Sequence, residues 1–167
     1  METFREIVHR YSPQVYRHAL SLLRTHEDAE EAVQDVFLRI HRALPQFRGD
    51  ARITTWIWRI TVNVCLTRLE KKRLPIQSLD DDPPEIAADD TPLTELLRTD
   101  TREVLESAMT RIPPAQASAL LMFYGEGMNY REIADVLGVP DGTVATLLFR
   151  GRERLRRILR NGKEEEK

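Results

Sequence analysis

Residues 130–149 read YREIADVLGVPDGTVATLLF. Apolar residues recur at helical spacing on either side of Gly138-Val139-Pro140, which predicts two helices meeting at a tight turn. In a helix-turn-helix the first helix needs a small residue where the helices cross, and the turn needs a residue that tolerates positive φ. Ala134 and Gly138 meet those needs, and Ile133, Leu137, Val139 and Val144 have the spacing to fill the shared core. Asp141 or Thr143 can cap the second helix. An ordinary helical hairpin packed in a core would show the same pattern. The second helix continues, however, into Arg150, Arg152, Arg154, Arg156, Arg157 and Arg160, a density of positive charge suited to tracking phosphates. A solvated basic face is the competing reading, and Glu153 has the spacing to pair with Arg150 and Arg157. The stretch points to DNA.

The whole chain is 167 residues with a formal net charge of -2, which looks wrong for a DNA binder until the charge is mapped. Bases outnumber acids from Met1 to Arg73, and the arginines above crowd one late helix. Between them, Leu74 to Leu97 carries Asp80, Asp81, Asp82, Glu85, Asp89, Asp90 and Glu95 without a base. Hydrophobic residues at 41% suffice for packed cores, and 31% charged residues with few aromatics indicate helices with charged outer faces. The single Cys65 cannot form an internal disulfide and sits in the apolar rhythm of Ile57, Ile60, Val64 and Leu66, so a reduced cytoplasm is expected. No run approaches the roughly 20 apolar residues that span a bilayer, so no direct membrane insertion is expected.

Upstream, Phe4, Ile7, Val8 and Tyr11 and then Val15, Tyr16, Ala19, Leu20, Leu22 and Leu23 predict two short helices or one kinked at Pro13. A further helix runs through Ala29, Ala32, Val33, Val36, Phe37, Ile40 and Leu44, with start signals at Thr25, Glu27 and Asp28 and a stop near Pro45. Gln46 to Arg52 reads as a loop, after which Thr54 or Thr55 can cap a helix through Leu69. The expected fold is all-α, with two small helical domains joined by an extended acidic linker and the helix-turn-helix in the second. The expected divisions are a first domain at 1–73, a linker at 74–92, a second domain at 93–161 and a frayed tail at 162–167. Proline among the acids keeps the linker from burying enough surface to fold. Leu93 to Ile112 returns to helical spacing, and Pro113-Pro114 breaks it before a helix through Phe123.

The first domain has its own signature. Phe47, Trp56 and Trp58 accompany Arg48, Arg52 and Arg59 around a glycine loop, and aromatics mixed with bases can stack on unpaired bases while gripping the backbone. Residues two apart on a helix face different ways, so one of the tryptophans is expected in the core. No catalytic constellation stands out: His9, His18, His26 and His41 are scattered, and one cysteine makes no thiolate zinc site. No enzyme activity, cofactor or metal is expected.

Nearly all of residues 1–160 resembles a known family, the sigma factors of bacterial RNA polymerase, in the compact extracytoplasmic-function (ECF) class. The resemblance rests on DAEEAVQDVFLRIHRAL (28–44), FRGDARITTWIWRITVNVCLTRLEKKR (47–73), the acidic strip, and RIPPAQASALLMFYGEGMNYREIADVLGVPDGTVATLLFRGRERL (111–155). It implies that the helix holding Asp28, Glu31, Gln34, Asp35 and Arg39 docks on the clamp helices of the largest subunit of core RNA polymerase. It also implies that Arg48, Gly49, Asp50 and Arg52, with Trp56, Arg59 and Asn63 on the following helix, recognise and melt promoter DNA. A flipped base would enter a pocket near that loop, and the Asn63 amide can both donate to and accept from a base edge; a surface amide with no specific role is the alternative. The linker would thread the polymerase cleft, mimicking nucleic acid, or serve as a tether.

In the second domain the resemblance implies a recognition helix in the upstream major groove, holding Thr143, Ala145, Thr146, Phe149, Arg150 and Arg152, with the flap of the second-largest subunit on the opposite face. The sequence departs from the family at Ala145 and Leu147, where basic residues are common. Arginine to guanine is the commonest specific major-groove contact, and it is missing there. Thymine methyl contacts from Ala145, Thr146 and Phe149, base reading by Arg150, and conversion of the helix to a protein-binding surface each answer the gap. The implied function is a sigma factor that joins core polymerase, recognises a two-part promoter and assists its opening, with an anti-sigma factor as a further partner. The alternatives are a conventional dimeric regulator that never touches core polymerase, and a module whose helix-turn-helix serves only protein contacts.

Overall fold

The computed structural model describes residues 2–72 and 102–165. The expected linker, and the helical pattern proposed for Leu93 to Thr101, lie outside the described residues. Among those described, all regular structure is helical.

Helix α1 (Phe4–Leu23) starts with a capping box. Thr3 Oγ1 accepts from the Glu6 amide at 3.4 Å, and the Thr3 amide donates to Glu6 Oε2 at 2.7 Å, so each end satisfies the other's orphan group. The accepted hydrogen bonds hold the Glu6 carboxyl below its usual range. Pro13 lies inside α1, which runs as one helix where the spacing also allowed two. Arg24 ends it in the left-handed region at φ 69°. Thr25 then caps α2 (His26–Ala43) by accepting from the Asp28 amide at 3.2 Å, as its position predicted. A 3-10 turn over Leu44–Gln46 follows, with Pro45 in its first turn.

Helix α3 (Ile53–Lys71) begins earlier than expected. Arg52, in extended backbone, occupies the N-cap without a side-chain hydrogen bond, and Thr55 is buried rather than capping. The reason is that α3 buries Thr55, Ile57, Trp58, Thr61, Val62, Val64, Cys65 and Leu69, a set too broad for one face. It packs against α1 and α2 and also against the second half of the chain.

That second half comprises α4 (Arg102–Met109), α5 (Pro114–Leu120), a π-helical turn over Leu121–Gly125, α6 (Tyr130–Leu137) and α7 (Asp141–Glu165). An Asn129–Glu132 capping box, both hydrogen bonds 2.9 Å, starts α6, and Gly138 ends it at φ 67°. The turn therefore uses glycine where a side chain would strain the backbone. Ile133 and Val144 are fully buried, and Ala134 nearly so. Neither Asp141 nor Thr143 caps α7, because the helix already includes both. Asp141 occupies the first turn, where its charge complements the helix dipole. At its other end α7 runs on through Glu165, past the expected boundary at Asn161, and the Lys and Glu residues there are good helix formers. Where α7 crosses α5, Gly151 is buried, and a Cβ built on it would meet Leu120 Cδ1 at 3.0 Å.

The two halves pack on each other. Helix α1 touches α4 and α5, and α3 touches α6, so the buried apolar residues of both halves form one cluster.

Candidate nucleic-acid interface

The loop after the 3-10 turn places Arg48, Gly49, Asp50 and Arg52 in solvent. Gly49 takes φ 78°, a value that L side chains rarely adopt. The loop is anchored from both ends by ring contact, because Phe47 lies 4.9 Å from Trp56 between centroids. Trp56 is half-buried, while Arg59 and Asn63 are exposed. Three- and four-residue spacing puts these on one helical face, so the loop and the outer face of α3 form a continuous surface of guanidinium groups, an indole and an amide. Trp58 is the core tryptophan, 1% exposed and stacked on His18.

Helix α2 carries the second set. Asp28 pairs with Lys72, and the Arg68 guanidinium bridges Glu31, with Nη1 donating at 3.1 Å, and Asp35. The Lys72 and Thr25 hydrogen bonds hold the Asp28 carboxyl below its usual range. Asp35 and Glu31 push the Arg68 guanidinium up. Gln34 and Arg39 stay in solvent, and Leu38, 54% exposed, lies between them. Leu38 had not been singled out as a site residue. Its signal was present, since it falls outside the buried rhythm of Val33, Val36, Phe37 and Ile40.

On α7, Gly142, Thr146 and Phe149 face outward, and Phe149 is 49% exposed. Thr146 Oγ1 donates to the Gly142 carbonyl at 3.3 Å. Thr143, Ala145 and Arg150 are half-buried flankers. Arg152 donates from Nη1 to the Tyr124 hydroxyl at 3.2 Å, which draws its guanidinium toward that ring. Glu153 pairs with Arg156, a partner other than the two its spacing suggested. Leu147 is 1% exposed and faces Leu22, Val62 and Leu66. Its apolar character is therefore a packing requirement, and only Ala145 remains a true gap in the basic pattern of the exposed helix.

The Sigma-70 region 2 family matches residues 7–74, and the Sigma-70, region 4 family matches residues 102–155. The ECF RNA polymerase sigma factor SigM of Mycobacterium tuberculosis is 37% identical over 157 residues, covering 93% of this chain and 76% of that protein. This chain belongs to the ECF RNA polymerase sigma factors. The ECF sigma factor SigW of Bacillus subtilis is 26% identical, over 96% of this chain and 90% of its own. Among solved structures, the sigma factor RpoE of Bartonella quintana, in complex with the anti-sigma factor NepR, shares the fold with a TM-score of 0.70 at 21% identity, covering 94% of this chain and 96% of that one. Membership sets aside the dimeric regulator. It also groups the exposed residues of this sigma factor by segment: the α2 and α3 surfaces fall in the region 2 match and the α7 surface in the region 4 match.

Proposed function

We propose that this sigma factor docks on the clamp helices of core RNA polymerase through α2, melts the promoter with the Arg48–Arg52 loop and the Trp56–Arg59–Asn63 face, and reads upstream duplex with α7. The observation that carries the reading is the continuity of that loop with that face, on a half of the chain separate from the helix-turn-helix. A duplex regulator has no use for an indole, an amide and guanidinium groups gathered on one exposed surface of its other half. Asn63 can satisfy a base edge as donor and acceptor, and Trp56 offers a stacking face whose angle is set by Phe47.

Thr146 and Phe149 occupy the centre of the α7 face, so thymine methyl contact is the favoured base readout, with Arg150 and Thr143 at its margin. The flap of the second-largest subunit takes the opposite face. Functional boundaries follow the expected division at 1–73, 74–92 and 93–161. An anti-sigma partner is supported by the complexes of the RpoE and CnrH relatives with NepR and CnrY. The protein acts in the cytoplasm without covalent chemistry of its own; among the described residues no helix is long and apolar enough to cross a membrane.

Reconstitution with core polymerase tests the proposal. Promoter-specific transcripts from a library of upstream sequences are expected, and absence of core association would falsify it. Asn63→Ala and Trp56→Ala are expected to reduce thymine reactivity in the bubble more than they reduce duplex binding. Equal loss of both counts against melting.

A further inference from the structure

The contact between the halves includes a buried polar pair. His18 of α1 is 1% exposed, and its Nε2 lies 2.7 Å from Ser118 Oγ on α5, a hydrogen bond spanning 100 residues of sequence. Its ring stacks on Trp58 of α3 at 4.9 Å between centroids. His18 Nδ1 is buried and makes no hydrogen bond among the described residues, while the Trp58 indole N–H lies beside the Glu126 carboxyl and favours its charged form. Two apolar hollows flank this contact. An apolar cavity of about 330 Å³ lies between α1 and the second half, lined by residues such as Leu20, Leu105 and Leu155, and another of about 160 Å³ includes Leu22 and Leu147. Nearby, Arg52 of the loop reaches Glu132 of α6 at 3.4 Å.

We propose that His18, Trp58 and Ser118 form a proton-released latch that holds the two halves closed. A neutral imidazole suits the site, because the serine hydroxyl can either donate to or accept from Nε2. An imidazolium would bury a second N–H at Nδ1 without a partner. Burial accordingly pushes the His18 imidazole down to about 3. The charged groups of this neighbourhood are Arg17, on the same helix, and Glu126, half-buried beside Trp58, whose carboxyl burial pushes up. Trp58 and Ser118, presented by α3 and α5, do not ionise in the range concerned.

The sign follows from the lowered value. Opening returns His18 to an ordinary value near ~6.5, so the closed form is favoured above that pH and loses ground as pH falls. Between pH ~7.5 and ~5.5 the closed-to-open ratio should drop about tenfold.

Energy transfer between dyes on Thr67→Cys and Asn161→Cys, both exposed positions, reads the ratio in the full chain. The parent pair is expected to show the tenfold drop. His18→Phe keeps a stacking ring and should be flat with pH. Ser118→Ala should lower the ratio at every pH while keeping the slope, and Glu126→Gln should leave the slope intact. An unchanged slope in His18→Phe, or a flat parent protein, overturns the latch. Should His18→Phe fail to fold by circular dichroism, Ser118→Ala decides: an unaltered ratio rejects it. Core polymerase binding by unlabelled protein at neutral pH is scored separately. Failure there refutes the sigma reading and leaves the latch measurement valid, whereas binding with no pH response refutes the latch alone.

Discussion

Leu147→Ala tests whether the departure from the family at the recognition helix is packing or readout. Leu147 is 1% exposed and packs toward Leu22, Val62 and Leu66 from the other half. Truncation removes the equivalent of three carbons from a buried site, about 2.4 kcal/mol at ~0.8 kcal/mol per methylene. A cavity term adds to this wherever the site fails to collapse. A total of ~2–4 kcal/mol is expected, and 3 kcal/mol corresponds to a Tm loss of roughly 6–12 °C for a chain of this size. Leu147→Arg should be worse, since an unpaired guanidinium would enter an apolar contact. Ala145→Arg, two residues earlier and half-exposed, should change stability by no more than ~0.5 kcal/mol while strengthening duplex binding in a salt-dependent way. Thermal melts at neutral pH and fluorescence anisotropy with an upstream duplex measure both. A Leu147→Ala loss below ~1 kcal/mol, or equal tolerance of arginine at 145 and 147, would refute the packing account.

At the α5–α7 crossing, Gly151→Ala should change stability by less than ~1 kcal/mol, because the helix propensity gain of ~1 kcal/mol is set against close contact with Leu120 Cδ1 and Cγ and Gln116 Cβ; Gly151→Leu should destabilise by ~1–3 kcal/mol, read from urea midpoints. Removing the α6 cap with Asn129→Ala should cost about 1 kcal/mol, visible in the same melts. Burial pushes the Cys65 thiol up to about 12, so a disulfide reagent at pH ~8 should modify the native protein at least ~100-fold more slowly than the denatured chain; comparable rates would place Cys65 outside the core. Replacing thymine by uracil in the upstream element should weaken binding at particular positions, and a flat response would discard methyl readout by Thr146 and Phe149.

Local chemistry was legible wherever it was local. Thr25 before α2, Gly138 at the turn and the small Ala134 at the crossing each answer a requirement set within a few residues, and each is where the sequence placed it. The Trp56–Trp58 alternation likewise predicted one core ring, and Trp58 is that ring. What escaped were relations across the chain. Periodicity shows that Leu147 belongs to a helix, but not that Leu22, Val62 and Leu66, 81 and more positions away, line the same cavity. Thr55 looked like a cap because nothing nearby reveals that α3 is enclosed from several sides. His18 looked like one of several scattered histidines, since Ser118 lies 100 residues downstream. The α2 acids were read as open to a partner, and the distant Arg68 and Lys72 turn out to hold them.

That last pairing alters the energetics of docking. A partner offering cations to Asp28, Glu31 and Asp35 must first displace Arg68 and Lys72 from them, so the encounter exchanges one set of ion pairs for another instead of creating a new set. The exchange nearly cancels in free energy and in counterion count, leaving net affinity to surfaces that start unpaired, chiefly the exposed Leu38. Two freed cations would then stand at the end of α3, the point from which the chain departs toward its acidic strip.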